Sequence, residues 1–158
     1  MCIRDRHYFD VVRKSRQQEE AIDATYIDNL QYLLGISDCV LLATPFGGKK
    51  IIDAESLAMF KQGSRFVNIA RGTLVSEDAL VEALKSGHLF AAGLDVFENE
   101  PNVHPELRDM RSVTLTCHNA GGAIETNYGF ERLAMENVEA MLLHGKALTP
   151  VNAHLIKM

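Results

Sequence analysis

Short apolar runs alternate along this chain with stretches of helical periodicity, and that alternation narrows the possible folds more than any other feature. Apolar runs at residues 7–12, 25–27, 38–43, 65–70, 89–94 and 113–116 read as strands. Between them, residues 15–24, 29–36, 53–62 and 76–86 read as helices, and residues 124–144 form a long final one. Ser76 and Asp53 are candidate N-caps, and Gly63, Gly87 and Gly145 follow the helical stretches as stop signals. The run at 38–43 is apolar at every second position of both registers, the pattern of a strand buried on both faces of a parallel sheet. Strands alternating with helices imply right-handed crossovers and an α/β, doubly wound parallel sheet of Rossmann-like type.

Composition agrees with one domain of that kind. The chain has 158 residues, 47% apolar and 23% charged, which is ordinary globular usage. Sixteen Lys and Arg against 21 Asp and Glu give a formal net charge of −5. So acidic a chain has no general attraction for nucleic acid or an anionic membrane, and any anionic ligand must be met by local positive groups. No apolar run approaches the roughly 18 residues of a membrane helix. Three cysteines (Cys2, Cys39, Cys117) without paired spacing suit a reducing compartment, so a cytoplasmic location is expected, and no metal site. The first six residues lead into no apolar core and resemble translated sequencing-adaptor sequence. Residues 1–6 are therefore read as a non-native leader, with the natural chain expected to begin upstream of His7.

Ligands of an open parallel sheet bind beyond the carboxyl ends of its strands, so the residues just after each strand matter most. Arg71 follows the run at 65–70 and precedes Gly72; its planar fork suits a carboxylate, or else a surface ion pair. Asp95 closes a buried strand, where a lone charge is costly. Glu100 lies a few residues on, in a loop where carboxylates are often only solvated. His118 stands between a strand and Asn119-Ala-Gly-Gly122, well placed for a proton donor reached by a ligand. His104 is its rival, because it shares a loop with Glu100. Arg71, Glu100 and His118, each at a strand's end in one sheet, would meet at one cleft as an anion clamp and a carboxylate-oriented imidazole.

At this point the chain resembles the D-isomer-specific 2-hydroxyacid dehydrogenases. The segments that carry the resemblance are Ser37-Asp-Cys-Val-Leu-Leu-Ala-Thr-Pro45, Lys61-Gln-Gly-Ser-Arg-Phe-Val-Asn-Ile-Ala-Arg-Gly72, Ala92-Gly-Leu-Asp-Val-Phe-Glu-Asn-Glu-Pro101 and Val113-Thr-Leu-Thr-Cys-His118. The resemblance implies that Arg71 binds the substrate carboxylate, that Glu100 rather than Glu98 partners the imidazole, and that His118 rather than His104 is the acid/base. It implies a cofactor face made of Asp10 at the adenosine ribose, Thr44 and Pro45 on the adenine side, Ile69, Ala70 and Arg71, Asp95 at the nicotinamide carboxamide, and His118, Ala120 and Gly121. Two departures, Cys117 before the histidine with Asn119-Ala after it, and Phe46-Gly-Gly-Lys-Lys50, fit a branch close to fungal-type 2-oxoacid or mandelate dehydrogenases.

The family's Gly-x-Gly-x-x-Gly turn, which holds a cofactor pyrophosphate on a helix N-terminus, occurs nowhere in the sequence. The chain is accordingly read as truncated at its N-terminus, lacking the first strand and that turn. Residues 7–144 would be a partial NAD(P)-binding domain, and residues 145–158 a tail returning towards a substrate domain. The implied activity is hydride transfer between NAD(P)H and a small 2-oxoacid, of glyoxylate, hydroxypyruvate or aromatic type, by a homodimeric whole protein of which this fragment is inactive alone. Asp10 favours NAD, while Arg13, Lys14 and Arg16 nearby keep NADP as the alternative. The other class of reading is a non-catalytic, dinucleotide-responsive corepressor module.

Overall fold

The computed structural model describes residues 5–45 and 47–152; Phe46, the start of the leader and the end of the tail lie outside the described residues. The chain divides into two compact units, one ending at His118 and one beginning at Asn119, whereas the sequence reading carried one body through to residue 144.

The first unit opens with a parallel pair of strands. β1 (Arg6–Tyr8) and β2 (Ala24–Tyr26) flank α1 (Arg16–Ile22), and Arg6, read from sequence as leader, is registered against Ala24. Ser15 and Gln18 form a capping box at the start of α1, and Asp23 closes it in the left-handed region at φ 51°. β1 is shorter than the apolar run that announces it. After Tyr8 the chain turns away, and Val11 and Val12 stand exposed. The turn is fixed by the ion pair of Asp10 with Lys14 and by the Tyr26 hydroxyl, which donates to the Asp10 carbonyl.

α2 (Leu30–Ile36) leads into a second, four-stranded parallel sheet in the order β3 (Cys39–Leu42), β4 (Ser64–Asn68), β5 (Leu89–Leu94) and β6 (Val113–Leu115). The crossovers carry α3 (Ala54–Ala58), α4 (Glu77–Lys85) and α5 (Pro105–Asp109). Leu34 of α2, Leu57 of α3, Leu80 and Val81 of α4 and Leu107 of α5 all join one core with Val40, Leu42, Phe66, Ala92 and Leu94 of the sheet. The alternating α/β plan expected from sequence is therefore present, but as two sheets. Among the described residues no strand is hydrogen-bonded between β1 and β3.

That arrangement corrects the reading of β3 as buried on both faces. Its residues alternate exposed and buried, with Val40 and Leu42 inside and Leu41 57% exposed. Side chains of α2 to α5 share one core with Val40, Leu42 and Phe66 of the sheet, whereas Leu41, Ile69 and Phe90 are exposed, with Arg65 lying over the Phe90 ring. α4 is also capped differently from the expectation. Ser76 makes no capping bond; the Glu98 carboxylate accepts from the Glu77 N–H instead.

The second unit holds α6 (Ile124–His144), ended by Gly145 at φ 67°. The turn after α6 is tied back to it, since Asn137 accepts from the Thr149 N–H and donates to the Thr149 hydroxyl. Among the described residues no helix is long and apolar enough to cross a membrane.

Candidate active site

Because β3 to β6 are parallel, their carboxyl ends lie along one edge, and Thr44, Arg71, Asp95 and His118 follow them. At that edge a cleft of about 220 Å³ is lined by Arg71, Gly72, Thr73, Phe97, Glu98, Glu100 and His118. Arg71, Glu100 and His118 thus share one cavity. Asp10, Thr44, Pro45, Ile69, Ala70 and Asp95, also singled out from sequence, are not among the residues that line it. Ala120 and Gly121 belong to the second unit.

The turn that presents Arg71 is built by Asn68. Its buried side chain accepts from the Ala70 N–H at 3.0 Å and donates to the Arg71 carbonyl at 3.1 Å, ending β4 and reversing the chain. One guanidinium nitrogen of Arg71 donates to the Ala70 carbonyl at 2.6 Å. Gly72 then passes against the next loop so closely that a Cβ there would sit 1.8 Å from the Phe97 carbonyl carbon. Only glycine allows that approach, and it brings the Arg71 turn beside the loop bearing Glu100.

That loop is pinned at Glu98. Glu98 accepts from the Glu77 N–H, Glu77 accepts from the Glu98 N–H at 2.8 Å, and Lys50 forms an ion pair with Glu98. Glu100 accepts from the Phe97 N–H at 3.0 Å with one oxygen and meets His118 Nδ1 at 2.9 Å with the other. The hydrogen bond to His118, then that from Phe97, holds the Glu100 carboxyl below its ordinary value, with Arg71 adding to the effect. An ionised carboxylate only accepts, so Nδ1 carries the hydrogen and Nε2 is the ring nitrogen left for a ligand. His118 adopts φ 54°, in the left-handed region that non-glycine residues seldom enter. Such backbone strain persists where surrounding contacts over-determine it, and it clusters at functional sites.

The rival histidine is engaged elsewhere: His104 lies 3.2 Å from Asp78 and is absent from the cleft lining. Asp95 is buried and accepts from the Thr116 hydroxyl at 2.5 Å. Ile69 is partly exposed and Ala70 buried in the turn before Arg71. Asn68, Thr73 and Phe97 were not anticipated as parts of the site, and Glu98 was weighed only as the alternative to Glu100. A polar residue within the apolar run at 65–70 was the available signal for Asn68; nothing local marked Glu98, whose partner is 21 residues away.

A model of the D-isomer specific 2-hydroxyacid dehydrogenases, that of their NAD binding domain, matches residues 5–120. The chain belongs to that family. It resembles the crystallised D-mandelate dehydrogenase of Rhodotorula graminis with 47% identity and a TM-score of 0.88, over 93% of this chain and 44% of that one. Glyoxylate reductase 1 of Saccharomyces cerevisiae is 36% identical over 88% of this chain and 40% of its own length. An NADPH-dependent glyoxylate/hydroxypyruvate reductase of Sinorhizobium meliloti, solved with NADP and malonate, is 32% identical with a TM-score of 0.82, over 93% of this chain and 45% of that one. The chain spans less than half the length of each.

Dinucleotide binding is a property of the matched domain, and the residues present fit part of such a ligand. Thr44, after β3, has a buried hydroxyl with no hydrogen-bond partner among the described residues, and a polar group so placed calls for one. Asp10 offers an accessible carboxylate, held ionised below its usual value chiefly by Lys14. A glycine-rich pyrophosphate turn is absent from these residues.

Proposed function

We propose that the whole protein reduces a small 2-oxoacid, or oxidises the matching D-2-hydroxy acid, with Arg71, Glu100 and His118 as its reacting site. One observation carries this reading: a carboxylate-bound imidazole, Glu100 to His118 at 2.9 Å, shares a cleft with the guanidinium of Arg71. Arg71 holds the substrate carboxylate with its remaining donors and polarises the neighbouring carbonyl. His118, its Nδ1–H fixed on Glu100, delivers a proton from Nε2 to the alkoxide as it forms. Glu100 keeps the ring oriented. When bound, the nicotinamide cofactor supplies the hydride. Asp10 would hold the adenosine ribose, Thr44 and Pro45 the adenine side, and Asp95 the nicotinamide carboxamide, with Ile69 and Ala70 beside it.

The reading extends to unphosphorylated NAD as the preferred cofactor, a homodimeric whole protein and a cytoplasmic location. The resemblance to reductases of glyoxylate and hydroxypyruvate, and to a mandelate dehydrogenase, supports a small or aromatic 2-oxoacid as substrate. Steady-state turnover of the whole protein with glyoxylate, hydroxypyruvate and phenylglyoxylate tests it. Reduction of at least one of them is expected. Tight cofactor binding without any turnover would contradict the enzyme reading in favour of a dinucleotide-responsive binding module.

A further inference from the structure

The segment between β1 and the end of α1 holds three cations, Arg13, Lys14 and Arg16, and three acids, Asp10, Glu19 and Glu20, so its formal charges cancel. The structure pairs them completely: Arg13 with Glu19, Lys14 with Asp10 at 2.9 Å, and Arg16 with Glu20 at 2.8 Å. The first pair differs in kind from the others. Arg13 meets Glu19 at two points, Nε to Oε1 at 2.8 Å and an Nη to Oε2 at 2.9 Å. The Tyr8 hydroxyl donates to the same carboxylate at 2.6 Å. Above them the guanidinium lies 5.3 Å from the centre of the Tyr26 ring, which packs on Tyr8. Glu19 is 8% exposed, which is unusual for a carboxylate on a helix this short. Arg13 and Tyr8 together hold its carboxyl at about 2, so it is anionic at any working pH.

The planar fork of arginine binds a phosphate and a carboxylate with the same geometry, so the two compete for it. We infer that Glu19 is a specificity-determining residue for the adenosine end of the cofactor: by occupying the fork of Arg13 it withholds that cation from a ribose 2′-phosphate and keeps the site for the unphosphorylated dinucleotide. A dianionic 2′-phosphate beside Asp10 meets a segment with no net positive charge, in which the best-shaped donor is already engaged. This inference rests on the reading that places Asp10 at the adenosine ribose.

The test is fluorescence titration of the whole protein with NADH and with NADPH, in wild type, Glu19→Gln, Arg13→Met and the double variant. Glu19→Gln removes the charge and keeps the shape. It is expected to move the affinity ratio towards NADPH by at least about tenfold, the worth of one charge-assisted hydrogen bond. Arg13→Met in the double variant should abolish that gain, and Arg13→Met alone should leave NADPH affinity within about twofold. A ratio unchanged by Glu19→Gln while both cofactors still bind would overturn the inference and leave the dinucleotide site standing. A tenfold loss of NADPH affinity in Arg13→Met alone would also overturn it, and decides the matter should Glu19→Gln not fold. Binding of neither cofactor by the wild type would remove the underlying reading and the inference with it.

Discussion

Gly72 carries the strictest demand of any residue around the cleft. A methyl group there would fall 1.8 Å from the Phe97 carbonyl carbon, which is backbone and cannot step aside alone. Gly72→Ala is expected to lower stability by about 3 kcal/mol or more through forced backbone displacement. Activity of the whole protein should fall further than stability does, because the displaced loop bears Glu100. Thermal melting and turnover measured together check this; a melting temperature unchanged from wild type would contradict it. Glu100 itself is held below its ordinary carboxyl value, chiefly by His118. Its folded value being depressed, the pair is intact at neutral pH, and Glu100 takes up its proton only below the ordinary value of 4.5, which an NMR titration of the carboxyl carbon reads directly. Arg71 and His118 were legible as candidates because each follows a strand and parallel strands share an edge, whereas the choice of Glu100 over Glu98 and of His118 over His104 came from the family resemblance. The roles of Asn68 and Glu98 were not legible, since one acts by closing a turn and the other by capping a helix 21 residues away.

At the scale of elements, β1, α1 and β2 form a small parallel pair held by the Tyr8, Arg13 and Glu19 contacts. The sign of its pH dependence follows from Glu19, whose carboxyl falls from 4.5 to about 2 on folding. The stability this group adds is fully present above about 4.5 and is lost as pH falls towards 2. Hydrogen exchange at residues 6–26 is expected to lose protection across that window, and a flat profile there would show that the ion pair adds nothing. The strands and helices were readable from periodicity, but their ends were not. β1 stops at Tyr8 because Asp10 turns the chain, and β4 stops at Asn68 because its side chain does. Burial of both faces of β3 was expected because its residues are apolar throughout. A strand's composition records what it tolerates on each face, and here only Val40 and Leu42 are covered.

For the molecule as a whole, the open side of the four-stranded sheet, with Leu41 at 57% and Phe90 at 62% exposed, is apolar surface of the kind that draws other surfaces together. The 158-residue chain by itself is expected to associate in solution and to bind NADH weakly, and the whole protein is expected to bind it more tightly. Light scattering and fluorescence titration of both would show this; a dispersed chain with micromolar affinity would contradict it. The family was legible from four ordered motifs, and cofactor choice was not, because on the inference above it turns on which acid holds Arg13. The central claim, that His118 in the cleft with Arg71 and Glu100 is the proton donor of a 2-oxoacid reduction, is tested most directly by turnover of the whole protein carrying His118→Ala. A fall of about 10²–10⁴-fold with cofactor affinity retained is the expected result for a general acid, and unchanged turnover would contradict the account and return the role to another residue, His104 first among them.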